Sequence, residues 1–140
     1  KNFFKKRKLR ISKTYSKSVM TTFSGRIVSE YKKLPPVNPD FIYLDGPSQL
    51  SSTGTKFGIN NREKDFMPMS CDLLKIEHYL IPGTIIVVDG RTANARYLRS
   101  NFQRNWKYFE DYEHDQNVFF LDEKPLGYIN KDQLKFYGFI

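Results

Sequence analysis

The chain has 140 residues, 39% of them hydrophobic and 16% aromatic, and a formal net charge of +8. That length and apolar content suit one domain with its own core and exclude a disordered chain. No apolar run approaches a membrane span, and a single cysteine (Cys71) with two distant histidines (His78 and His114) excludes an internal disulfide and a Cys/His zinc site.

A soluble, cytoplasmic protein with no membrane partner is therefore expected. Lys1, Lys5, Lys6, Arg7, Lys8 and Arg10 carry six positive charges, so +2 of the +8 remains for the other 130 residues. A basic head on a balanced body reads first as a solvated face and second as a phosphate-binding arm. Nucleic-acid binding is expected to be weak or absent. Lys1 in place of methionine implies residues removed upstream, and no signal-peptide pattern is seen. Residues 1–13 form the basic segment and 14–140 a single α/β domain.

From Thr14 to Tyr31 the chain is rich in Val, Ile, Thr, Phe and Tyr, and Ser24-Gly25 divides it into two short strands. Pro35, Pro36 and Pro39 end any regular element. Phe41-Ile42-Tyr43-Leu44 then runs into Asp45-Gly46-Pro47. Continuous apolarity predicts a strand covered on both faces, as in parallel sheets. Residues 48–69 are polar and read as a long surface loop.

Ser70 is placed to cap a helix over 71–81, with Leu73, Leu74, Ile76, Leu80 and Ile81 on its apolar face and Pro82-Gly83 as its stop. Thr84-Ile85-Ile86-Val87-Val88-Asp89-Gly90 is a second buried-strand pattern ending in Asp-Gly. Thr92 is placed to cap a helix reaching about Asn105. Residues 106–112 and 117–121 read as a hairpin, with Trp106, Phe109, Phe119 and Phe120 in the core. The tail from Leu126 to Ile140 has scattered apolar residues and is expected to pack across an edge. Strand–helix–strand with buried strands predicts a parallel pair, to which the hairpin adds an antiparallel edge.

In an open parallel sheet, ligands bind beyond the carboxyl ends of the strands. Asp45 and Asp89 each stand at such an end, and the glycine after each lets a ligand approach the backbone. Two carboxylates there can hold a hard cation, share a proton as acid and base, or cap their turns. Arg91 and Asn94, at the start of the second helix, are candidates to bind an anionic group. Gln49, Asn60, Asn61 and Arg62 are candidates to line a pocket from the long loop, and His78 reads as structural. No Gly-x-Gly-x-x-Gly, phosphate-binding loop or Gly-x-Ser-x-Gly elbow occurs.

Residues 39–47, a helix, and Leu80-Ile81-Pro82-Gly83-Thr84-Ile85-Ile86-Val87-Val88-Asp89-Gly90-Arg91 resemble the latter half of a class I S-adenosylmethionine-dependent methyltransferase. The resemblance spans about residues 38–123. It implies a Rossmann-like, mostly parallel sheet with a C-terminal antiparallel hairpin, lacking the cofactor-loop half. Metal-dependent O-methyltransferases of the catechol type, and related enzymes acting on sugars, bind magnesium through acids at these two strand ends. The resemblance thus implies S-adenosylmethionine and Mg2+ as cofactors, with Asp45 and Asp89 as the metal-binding, catalytic acids, and a small-molecule or sugar hydroxyl as substrate. Two departures stand out. Gly90 occupies the position where those enzymes carry Asn or Asp, and nothing here matches the glycine-rich cofactor loop or the ribose-binding acid. A basic module for nucleic acid or an acidic protein, and a remnant that forms a homodimer through its sheet edge, are the rival readings.

Overall fold

The computed structural model describes residues 11–45, 51–60 and 69–140. Its elements are β1 (Ser18–Phe23), β2 (Arg26–Tyr31), β3 (Phe41–Leu44), α1 (Asp72–Ile76), a 3-10 turn (Glu77–Tyr79), β4 (Ile85–Asp89), α2 (Thr92–Asn101), β5 (Trp106–Asp111), β6 (Gln116–Leu121) and α3 (Gly127–Phe136). β1 and β2 form a two-stranded antiparallel sheet, and the other four strands form a mixed sheet in the order β3-β4-β6-β5.

The expected parallel pair is present: Phe41 pairs with Ile85 and Leu44 with Val88. The expected hairpin joins it and makes the sheet mixed: β6 pairs antiparallel with both β4 and β5, so β6 alone runs against the other three strands. Ser24 and Gly25 both adopt positive φ, 48° and 76°. That is the primed turn whose twist matches a two-residue hairpin. Both edges of this hairpin are pinned. Thr53 bonds to β1 through Met20 N–H (2.8 Å) and Ser18 C=O (3.0 Å), and the 69–71 segment bonds to β2 through Ser29.

Side chains alternate across each strand, so one face of the large sheet carries Ile42, Leu44, Ile86, Val88, Phe119 and Tyr108. These pack with Leu73 and Leu74 of α1, Ala95 and Leu98 of α2, and Val28 of β2. The opposite face is not covered as expected. Phe41 is 55% exposed, Tyr43 51% and Phe109 58%. The placement of Phe109 in the core is thus overturned. The side chains of β5 that pack on the helix side are Trp106 and Tyr108, and period-two alternation turns Phe109 away.

Both internal helices are shorter than their patterns. Ser70 does not cap α1; its hydroxyl donates to Asp72 Oδ2 (2.9 Å), because that carboxylate turns back to accept the Tyr31 N–H. α1 gives way to the 3-10 turn, and Leu80 is extended ahead of Ile81-Pro82. A residue before proline avoids the helical region, which disfavours continuation there. α2 stops at Asn101 because Phe102 leaves the helix (ψ 136°) to stack on Trp106 at 4.8 Å. Thr92 is the first helical residue of α2, not its cap.

The tail holds a helix that its pattern did not reveal. α3 buries only Asn130 and Leu134, four residues apart. Asn130 Nδ2 donates to the Pro82 carbonyl (3.1 Å), and Phe139 beyond the helix packs on Phe120 at 4.9 Å between ring centres. Among the described residues no helix is long and apolar enough to cross a membrane.

Candidate functional site

The β3–β4 register decides what stands at the carboxyl rim. Each β3 residue pairs with the β4 residue 44 positions on, from Phe41 and Ile85 to Leu44 and Val88. Continuing that register by one residue directs Asp45 to the same rim as Asp89 and, by alternation, to the face of Tyr43. The Tyr43 hydroxyl donates to Asp89 Oδ2. That hydrogen bond is the main cause holding the phenol pKa above its ordinary value, followed by desolvation and the charges of Asp89 and Asp45. Asp89 thus bonds the hydroxyl directly, and the Asp45 charge adds a smaller push in the same direction.

Two neighbours complete the rim. Arg91 Nε donates to the Asp45 carbonyl at 3.3 Å, which ties the start of α2 to the end of β3. Gly90, at φ 60°, donates its N–H to the Asp115 carbonyl at 2.9 Å. A Cβ on Gly90 would lie 3.7 Å from Asp115 Oδ2, so the β5–β6 turn brings a third acid close to the Asp-Gly corner. Beside it, Asp111 binds the His114 ring at 2.9 Å and both the His114 and Glu113 N–H groups. The His114 side-chain bond leads the causes that hold the Asp111 carboxyl below the usual range.

Of the residues singled out by sequence, Asp45, Asp89 and Arg91 come together. Asn94 does not reach the rim: it is buried, 3% exposed, and its Oδ1 accepts the Ser70 N–H at 2.6 Å. Gln49, Asn61 and Arg62 lie outside the described residues. His78 is exposed in the 3-10 turn, edge-on to Tyr79. Sequence reasoning missed Tyr43 and Asp115. Tyr43 was legible, since a residue two before Asp45 in a strand shares its face. Asp115 was not, because only the β4–β6 pairing carries that turn to the rim.

The rim's fit to the implied cofactors is limited. Among the described residues no three His, Cys, Asp or Glu side chains are grouped to hold a metal. Asp89 already accepts a hydroxyl, and Gly90 offers no third ligand. For S-adenosylmethionine the sequence offers no glycine-rich cradle. What the rim can do by itself is accept protons and orient a bound group through Arg91. Comparison with protein families, curated proteins and solved structures finds no match.

Proposed function

We propose that this chain is a Rossmann-like, methyltransferase-like domain whose working site is the β3–β4 rim. Its acceptor would be a hydroxyl of a small molecule or sugar. One observation carries the reading: the parallel pairing of β3 with β4, whose carboxyl ends lead to Asp45 and Asp89, with Tyr43 hydrogen-bonded to Asp89 across the strands. The sheet order β3-β4-β6-β5, one parallel pair followed by an antiparallel hairpin, supports it. The rival reading as a basic nucleic-acid or protein module rests on residues 1–10, outside the described ones.

In this reading Asp89 and Asp45 act on the acceptor hydroxyl. A hydroxyl entering the rim would replace or join Tyr43 in bonding to Asp89, and the carboxylate would accept its proton, leaving the oxygen a stronger nucleophile. Arg91 orients a substrate oxygen or anion beside them. Among the described residues there is no metal centre, and the sequence holds no glycine-rich methyl-donor cradle, so neither group enters these steps.

The test is transfer of a labelled methyl group from S-adenosylmethionine to catechols, phenols and simple sugars, with and without Mg2+. With S-adenosylmethionine in large excess to offset the missing donor cradle, slow transfer by the wild-type chain, reduced about 10²-fold or more in Asp89→Asn, is expected for loss of a general base. No labelled product from any acceptor, or equal product with both Asp45→Asn and Asp89→Asn in place, refutes the proposal.

A further inference from the structure

A cleft of about 580 Å³ lies along β3 on the helix side, the face opposite Tyr43. Its walls are apolar: Leu34 and Pro35–Pro36 from the linker after β2, Ile42 from β3, and Leu73 and Ile76 from α1. Its size and lining match sites that take small organic ligands.

One charged side chain breaks this apolar surface. Asp72 lines the cleft and is only 7% exposed. Its carboxylate is fixed in place, accepting the Tyr31 N–H at 3.0 Å and the Ser70 hydroxyl at 2.9 Å. Ser70 is in turn anchored by its N–H to buried Asn94. Every one of these donors is neutral. No Lys, Arg or His among the described residues forms an ion pair with Asp72. A carboxylate offers about four acceptor sites, so capacity remains. Burying a carboxylate without a cationic partner is costly, and a cation that reaches it gains accordingly. The rings of Tyr31 and Tyr79, also in the wall, add faces that attract positive charge.

We propose that this cleft binds a small organic cation: an ammonium or guanidinium group on an apolar or aromatic body. The charge sits at Asp72 and the body lies along Ile42, Leu73 and Ile76. This goes beyond methyl transfer and stands whether or not the rim is catalytic. It also runs against the chain's overall charge of +8, which by itself would favour anions. A preference for the cation therefore reports the cleft and not the surface field.

Three probes share one indole body: tryptamine (cationic), tryptophol (neutral) and indole-3-acetate (anionic). Each is titrated into the full chain by calorimetry and by saturation-transfer NMR. Tryptamine is expected to bind at least tenfold tighter than tryptophol, and indole-3-acetate weakest of all. Asp72→Asn should bring tryptamine and tryptophol within about twofold of each other. Val37→Trp, at a linker position that lines the cleft and is itself 58% exposed, should plug the site and weaken both probes at least tenfold without touching Asp72. Equal binding of all three probes, no binding of tryptamine to the folded chain, or tryptamine affinity unchanged in Val37→Trp overturns the proposal.

Discussion

Replacing Glu77 with alanine should be among the most damaging single changes in the protein. Glu77 is 6% exposed. Its Oε1 accepts three donors: Gln103 N–H at 2.9 Å, Arg104 N–H at 2.8 Å and the Trp106 indole N–H at 2.9 Å. Its Oε2 adds only a longer contact to Gln103 N–H, 3.2 Å. One carboxylate thus holds the whole turn from α2 into β5. Arg104 closes the knot, donating to the Glu77 carbonyl at 2.9 Å and pairing with Glu123. Alanine would leave three donors unsatisfied, at about 1–3 kcal/mol each before water re-enters. Allowing for that re-entry, about 3–5 kcal/mol is expected. Glu77→Gln keeps an oxygen at the Oε1 position but turns an amide toward Gln103 N–H, so about 1–2 kcal/mol should suffice there. Urea unfolding followed by Trp106 fluorescence and circular dichroism measures both. With a slope of about 2 kcal/mol per molar, the alanine midpoint should fall by about 2 M. A loss below about 0.5 kcal/mol, the range of ordinary surface substitutions, would refute this account of the turn.

Further outcomes follow from the same structure. Gly83→Ala should cost about 2–3 kcal/mol, because its φ is +89° and the new methyl would run into the buried Leu134 side chain. Gly25→Ala, at positive φ but with open space around it, should cost about 1 kcal/mol, and thermal melts that rank the two the other way contradict the packing. Cys71 is fully buried, and burial, with the neighbouring charge of Asp72, pushes its thiol up to about 11. A thiol reagent at pH 8 should label it only as fast as the chain opens, and prompt labelling of the native protein would count against this. Burial also raises the Asp72 pKa despite its hydrogen bonds. The native state then binds more protons than the unfolded one between the unfolded value, about 3.9, and the raised native value. Stability should fall as pH rises through that window and stay lower above it. Asp72→Asn should gain on the wild type over the same rise, whereas a flat difference between the two would exclude the shift.

Elements with a local signal could be read directly from the residues. Two apolar runs closed by Asp-Gly became β3 and β4, Ser24-Gly25 became a hairpin turn, and the polar stretch 113–115 falls between β5 and β6. Because two of these runs are joined by a helical segment, their parallel pairing was legible too, and with it that Asp45 and Asp89 follow strands running the same way. Tertiary structure alone decided the rest. α3 carries only two buried side chains, so its helix rests on Pro82, Gly83 and Phe120 rather than on a stripe of its own. The ends of α1 and α2 were set by Leu80 turning extended and by Phe102 leaving to stack on Trp106, contacts that no periodicity encodes. Asn94 looked like a rim residue from its spacing, yet the 69–71 segment passing along β2 claimed its amide. Asp72 is the first residue of α1, yet the same hairpin turned its carboxylate inward beside an apolar cleft. The division has one physical reason. Alternation and turn chemistry act over a few neighbouring residues, whereas the partner of a buried polar group is chosen by whichever distant segment packs against it.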